Sequence, residues 1–265
     1  MLDIFKRKIN YLRISVTDKC NLRCHYCMPD GEIQLLPRWE ILSLEEIIEV
    51  ARVAVDMGID KVRLTGGEPL VRRNIIGLVA GIAQLEGIRN FGMSTNGILL
   101  REYAHQLADA GLHRVNVSLD ATSPEKYAEI TRGGDVSRVF AGIDAAIDAG
   151  LTPVKINCVV EHSSQEKDAL DVALFGREKG LKVRYIRQMT PEKGEFWPVQ
   201  GGDGGHCLTC NRLRLSSNGM IRPCLFSDIG YSVREFGIRR AIEMAIAAKP
   251  ASGRVSNNKF YEIGG

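Results

Sequence analysis

The chain has 265 residues, with 35 basic against 32 acidic side chains, a net charge of +3 and 45% hydrophobic residues. It is long enough to bury one barrel-sized core plus an appendage, and too nearly balanced in charge to imply a long polyanion such as nucleic acid as partner. Residues 1–8 lack the apolar core and small-residue cleavage site of a signal peptide, and no apolar run approaches membrane-spanning length. A soluble, cytoplasmic protein with no membrane partner is the expectation.

In chain order, strand-like runs at 12–17, 61–65, 90–95, 114–119, 153–160 and 182–188 alternate with helix-like stretches at 44–57, 73–85, 102–110, 136–149 and 165–179. Ser43 ahead of Glu45 and Glu46 reads as an N-cap with acidic first-turn residues, and Gly58, Gly111, Gly150 and Gly180 read as stops. Six consecutive βα units predict an α/β fold, with a parallel sheet curled into a partial (β/α)6 TIM-like barrel over residues 1–189. Residues 190–206, rich in turn formers, read as a Gly-rich linker. Residues 207–265 then form a short C-terminal subdomain, opened by a hairpin turning at Asn218-Gly219 and continued by a helix-like stretch at 232–248.

Side chains alternate between the two faces of a strand. One face carries Leu12, Ile14, Val62, Leu64, Val115, Val117, Ile156 and Cys158, which suits packing against helices and makes Cys158 a small core residue. The other carries Arg13, Lys61, Arg63, Lys155 and Arg184 among Asn116, Ser118, Asp120 and Asn157, and it should line the barrel. Such an interior is ordinarily filled by Val, Ile and Leu. Burying so many like charges without counter-ions is prohibitive. A polyanionic ligand such as a nucleoside triphosphate resolves this. Pairing with Asp or Glu inside the lumen is the plainer alternative, although the inward set is poor in carboxylates. Parity turns Arg187 outward.

Seven cysteines in a cytosolic setting are poor candidates for disulfides, and six of them fall into two compact groups. Cys20, Cys24 and Cys27 follow the first strand with C-x3-C-x2-C spacing. Three thiolates can hold three irons of a cubane iron–sulfur cluster and leave the fourth iron open. A zinc knuckle with His25 as fourth ligand is the alternative. The hairpin brings Cys224 back beside Cys207 and Cys210, again three thiolates, with His206 or a substrate to complete the set and Arg212 and Arg214 next to it on one strand face.

The first cysteine motif, with Tyr26 before its third cysteine, and Gly66-Gly67-Glu68-Pro69 at the end of the second strand resemble the radical S-adenosylmethionine superfamily. Within it, the runs 12–29, 62–73 and 207–219 and the closing Ile263-Gly264-Gly265 resemble the GTP 3′,8-cyclase family, through nearly the whole chain.

The resemblance implies an enzyme with two 4Fe-4S clusters, one on Cys20, Cys24 and Cys27 and the other on Cys207, Cys210 and Cys224, which binds S-adenosyl-L-methionine at the open iron of the first. Its 5′-deoxyadenosyl radical would take hydrogen from C3′ of GTP. The carbon radical would attack C8 and yield (8S)-3′,8-cyclo-7,8-dihydroguanosine 5′-triphosphate, the first step of molybdenum cofactor biosynthesis. Carried over position by position, Tyr26, Gly66, Gly67, Glu68, Ser118 and Met189 match contacts to S-adenosylmethionine. Arg13, Lys61, Arg63, Ser94, Lys155, Arg184, Arg212 and Arg214 match the surroundings of GTP, with Arg13, Lys155 and Arg184 in the catalytic set. The resemblance further implies an electron donor such as flavodoxin, the downstream cyclic pyranopterin monophosphate synthase as product acceptor, a monomer or homodimer, and a Gly-Gly tail that enters the site.

One departure stands out. The family has a segment longer by several dozen residues between the last barrel strand and the second cysteine group, where this chain has the Gly-rich 190–206. Two other readings stay open: a radical enzyme with an auxiliary cluster acting on another nucleotide or a peptide, and a non-enzymatic iron–sulfur or zinc-binding protein. The inward cations weigh against a peptide, and the Gly-Gly-Glu-Pro element against a non-enzyme.

Overall fold

A computed structural model describes residues 1–28, 31 and 33–264; Pro29 and Gly265, both in the motifs quoted above, lie outside the described residues. The six predicted strands are present as β1 (Tyr11–Ser15), β2 (Lys61–Thr65), β3 (Asn90–Thr95), β4 (Arg114–Ser118), β5 (Lys155–Val160) and β6 (Lys182–Arg187). Each is parallel to the next. On the other side of β1 lies β7 (Arg212–Leu215), also parallel to it, followed by antiparallel β8 (Met220–Arg222) and β9 (Tyr231–Ser232). The nine strands form one sheet in the order β6-β5-β4-β3-β2-β1-β7-β8-β9. Its ends are β6 and β9, and no pairing among the described residues closes it into a ring.

Helices α1 (Leu44–Asp56), α2 (Ile75–Ala83), α3 (Leu100–Asp109), α4 (Pro124–Thr131), α5 (Val136–Asp148) and α6 (Lys167–Glu178) fill the crossovers. Ser43 starts α1 as expected, through a full capping box in which its side chain accepts from the Glu46 N–H and the Glu46 carboxylate accepts from the Ser43 N–H. The predicted 232–248 helix is broken into α7 (Val233–Phe236) and α8 (Ile238–Ala247), because Gly237 sits at φ +76°. The outward faces of the strands and the apolar faces of the helices make the main core, with Leu12, Ile14, Val62, Leu64, Val115, Val117, Ile156 and Cys158 fully buried.

After β6 the chain does not run free. Gln200 exchanges both backbone hydrogen bonds with Tyr185 at 3.0 Å, which docks 190–206 against the end strand. A second, small core joins Leu225 and Phe226 to Ile263 of the last helix, α9 (Phe260–Ile263), with Met189 and Phe196 packed on it. No helix among the described residues is long and apolar enough to cross a membrane.

Strand register decides what the inner face looks like. Arg214, Arg13, Arg63, Gly92 and Arg114 stand side by side across five strands, and Arg212, Tyr11, Lys61 and Asn90 form the neighbouring row. Gly92 is the one position in the first row without a side chain.

Candidate active site

Position along the strands sorts the inner face into two cavities. The first, about 390 Å³, is lined by residues early in their strands: Tyr11, Arg13, Lys61, Arg63, Asn90, Arg114, Asn116, Lys155, Arg184, Arg212 and Arg214. The second, about 200 Å³, is lined by late-strand and loop residues, among them Thr65, Gly66, Gly67, Glu68, Thr95, Asn96, Ser118 and Val159. Two residues along a strand amount to roughly 7 Å. Asn157, Ile186 and Met189 line both cavities, so the two adjoin through them. Each cysteine trio belongs to one cavity: Cys207, Cys210 and Cys224 to the first, Cys20, Cys24 and Cys27 to the second.

Eight cations line the first cavity, and Asp203 is the one carboxylate among its described lining residues. Tyr11 is their hub. Its hydroxyl accepts a 2.7 Å hydrogen bond from Arg63 Nε, and its ring lies 4.5 Å from the Lys61 ammonium and 5.6 Å from the Arg212 guanidinium. Burial pushes the phenol up, but Arg63, Arg13, Arg212 and Lys61 together outweigh it and hold Tyr11 at about 7. Burial first, then Arg184, Arg114, Lys182 and Arg63, pull Lys155 down to about 8. Arg114 and Arg184 are shifted downward too, by burial before charge. Three buried donors here, Arg63 Nη1, Arg114 Nε and Arg184 Nε, have no hydrogen-bond acceptor among the described residues. Each such group costs about 1–3 kcal/mol while it stays unmet. The plainer sequence reading, lumen cations paired with Asp or Glu, finds no such pairs for Lys61, Arg63, Arg114, Lys155, Arg184, Arg212 or Arg214 among the described residues.

The second cavity is built by close backbone packing. Gly67 N–H donates to the Thr17 carbonyl and Glu68 N–H to the Lys19 carbonyl, each at 2.8 Å, which presses the turn after β2 onto the residues just ahead of Cys20. A Cβ at position 67 would run into the Lys19 backbone, so only glycine allows this approach. Glu68 is 1% exposed, and its carboxylate accepts from Leu70 N–H, Thr95 hydroxyl and Asn96 N–H at 3.0, 2.8 and 2.7 Å. It therefore ties the turn to the end of β3. Tyr26 donates its hydroxyl to Asp120 at 2.6 Å, and Asp120 also accepts from Val159 N–H at 2.7 Å. Burial raises Asp120 to about 6.

The donor sets fit iron–sulfur clusters. All six thiols are free, Cys20 receives the Leu22 N–H at 3.4 Å and the Asn96 amide at 3.7 Å, and burial pushes Cys24 and Cys27 up to about 12, so loading must displace protons. The zinc alternative fares worse. His25 is exposed and absent from the cavity wall, and no three His, Cys, Asp or Glu side chains among the described residues stand in single-ion geometry.

The sequence model of the Radical SAM superfamily matches residues 14–175. A GTP 3′,8-cyclase of Thermodesulfovibrio yellowstonii is 40% identical, covering 94% of this chain and 94% of that protein; one of Alkaliphilus oremlandii is 39% identical over the full length of both. The chain belongs to the GTP 3′,8-cyclase family of the radical SAM superfamily. The alignment with the Alkaliphilus protein runs to 320 residues against 265 here, so that member of the family carries sequence this chain lacks. Among solved structures, Streptococcus suis SuiB bound to S-adenosylmethionine superposes with a TM-score of 0.64 at 17% identity over 91% of this chain and 64% of that one. Methylornithine synthase gives 0.56 at 16% over 96% and 75%. At such identities these likenesses speak for the fold, the radical SAM barrel class.

Of the positions carried over from the family, Arg13, Lys61, Arg63, Lys155, Arg184, Arg212 and Arg214 converge on the first cavity, and Tyr26, Gly66, Gly67, Glu68, Ser118 and Met189 on the second. Ser94 differs from expectation. The family match groups it with the cations, yet it lies four residues past Asn90 and lines the second cavity. Arg187 is also misplaced by parity, because the strand ends there. It lines the second cavity, with its guanidinium 3.8 Å from the centre of the Trp197 ring, and Trp197 is part of the first cavity's wall. Sequence reasoning missed Tyr11, Arg114 and the Phe196–Trp197 wall. Extending the first strand one residue back would have shown Tyr11 to share Arg13's face. The tail reaches the inner face: the Gly264 carbonyl accepts from Arg214, and a Cβ at Gly264 would collide with Thr65.

Proposed function

We propose that this chain cyclises GTP to 3′,8-cyclo-7,8-dihydroguanosine triphosphate, with one 4Fe-4S cluster on Cys20, Cys24 and Cys27 and a second on Cys207, Cys210 and Cys224. The observation that carries the reading is the first cavity: eight cations with Arg63, Arg114 and Arg184 donors lacking acceptors, flanked on one side by a cysteine trio and opening on the other toward the second. A triphosphate supplies the missing acceptors. Arginine suits it, since the planar fork donates two bonds at once.

Bound in the second cavity, S-adenosylmethionine and the first cluster would supply a primary carbon radical able to abstract hydrogen. The chain's own residues do the rest. Tyr26, fixed by Asp120, and the Gly66–Gly67 turn shape the place for the cofactor. Arg13, Lys61, Arg63, Lys155 and Arg184 hold the phosphates, and Arg212 and Arg214 present the base side toward the second trio. Asn157 and Met189, at the join, bring the reacting parts within reach. The division into a barrel over 1–189, a connecting 190–206 and a cluster-bearing 207–265, the flavodoxin-type donor and the downstream synthase belong to the same proposal.

The test is anaerobic reconstitution with iron and sulfide, then S-adenosylmethionine, dithionite and single nucleotides. GTP should yield 5′-deoxyadenosine and a cyclised product in equal amounts. Cys24→Ala should abolish cleavage, whereas Cys210→Ala should leave cleavage without cyclisation. Deoxyadenosine with another nucleotide but not with GTP would favour an altered substrate, the reading that the shorter chain keeps open. No deoxyadenosine under any condition rejects both.

A further inference from the structure

One buried ammonium belongs to neither cavity wall. Lys249, just past α8, is 2% exposed, and its Nζ donates to the Arg212 carbonyl at 2.7 Å and the Pro223 carbonyl at 2.6 Å. Both carbonyls border the second trio: Pro223 immediately precedes Cys224, and Arg212 follows Cys210 by two residues. An ammonium has three donors, and these carbonyls take two. The Cys210 and Cys224 thiols beside it favour its charged form, against burial and the Arg7 guanidinium.

Arg7 makes the contrast. It donates to the Cys207 carbonyl at 2.8 Å and the Pro250 carbonyl at 2.7 Å, so it too holds the backbone of a cysteine. Its charge, however, is cancelled by buried Asp3, 2.5 Å away. Lys249 has no such carboxylate among the described residues.

We propose that Lys249 is the charge-compensating positioning residue of the auxiliary cluster, fixing the backbone beside Cys210 and Cys224 and favouring the cluster's reduced form. This rests on the reading that the second trio holds a cluster. Gaining one electron makes a cluster one unit more negative, and a buried cation beside its ligands stabilises that state.

The experiment compares native full-length protein with Lys249→Gln and Lys249→Arg after reconstitution, by iron content and redox titration followed by electron paramagnetic resonance. Glutamine keeps two N–H donors for the carbonyls and loses the charge; arginine keeps the charge. All three should hold about eight irons per chain. In Lys249→Gln the second cluster's reduction equilibrium should move at least tenfold toward the oxidised form, about 59 mV more negative. The first cluster and Lys249→Arg should stay near native. Loss of the second cluster in Lys249→Gln alone also supports a role for the charge. Eight irons with an unmoved second potential, equal movement of both clusters, or cluster loss in both variants overturns the proposal. Four irons in the native protein removes the second cluster itself, and the proposal with it.

Discussion

The Arg63 guanidinium hydrogen-bonds to the Tyr11 hydroxyl at 2.7 Å across the β1–β2 pair, so a phenol stands where a cationic cavity most lacks an anion. Arg13, Lys61, Arg63 and Arg212 all act on it and outweigh its burial, leaving it at about 7 against an ordinary 10.0. A depressed folded-state value stabilises the fold fully above pH 10 and loses that contribution as pH falls through 7. In the empty cavity the phenolate is thus a partial counter-ion above neutrality. A triphosphate brings its own charge, raises the phenol again and forces proton uptake. Calorimetry of GTP binding near pH 8 in two buffers of different ionisation heat should register uptake of up to about one proton. Tyr11→Phe should lower it to the part that Lys155, held at about 8, takes up. Equal uptake in both proteins would show that another group titrates.

Lys155 is held down by burial and by Arg184, Arg114, Lys182 and Arg63, and among the described residues no hydrogen bond or ion pair to its ammonium offsets that crowding. Lys155→Met should therefore weaken GTP binding while leaving the empty protein as stable or more so. Loss of one charged phosphate contact is worth about 1.5–3 kcal/mol, roughly a ten- to hundredfold rise in Kd. Thermal melts beside equilibrium binding would reveal the opposed signs. A fall in Tm as large as the loss of binding would mean the lysine is structural.

Gly67→Ala puts a Cβ into the Lys19 backbone just ahead of Cys20. Overpacking of this kind costs about 1–3 kcal/mol. The loop carrying the first trio must shift to relieve it. The expected outcome is a lower Tm and impaired loading of the first cluster, with the irons of the proposed second cluster retained. Measured iron per chain distinguishes this from general misfolding.

Asp120→Ala leaves the Tyr26 hydroxyl and the Val159 N–H without their acceptor. The destabilisation should be about 1–3 kcal/mol by denaturant titration. Affinity for S-adenosylmethionine should fall in step, since Tyr26 is then free to leave the cavity wall, and Asp120→Asn should recover part of both. Unchanged cofactor affinity would separate Tyr26 from that site.

Strand alternation made the cation-lined interior legible before any coordinates. Arg13, Arg63, Lys155 and Arg184 each stand between two apolar or aromatic neighbours in the chain, and tertiary packing had no reason to override so regular a pattern. The family likeness added the grouping of cofactor positions. What escaped lay where alternation stops or where chain segments meet through space. Arg187 is the last residue of β6, and past it the chain turns, so parity no longer assigns a face. Ser94 was on the correct face but too far along its strand, a distinction that depends on how the strands stagger. Helix α4 begins at Ser123-Pro124 and is short and polar, too weak a periodic signal to stand out. The Phe196 and Trp197 wall depends on Gln200 docking against Tyr185, a contact no local pattern announces.

The step from β6 to β7 differs in kind from every other link in the chain. It leaves one margin of the sheet and re-enters beside β1, five strands away, contributing no paired strand on the way. Residues can be added to or removed from such a bridge without shifting the register of any arginine. Relatives of unequal length can therefore share one cationic floor beneath differently sized roofs, and divergence within the family has an outlet that reshapes the wall over that floor without disturbing it.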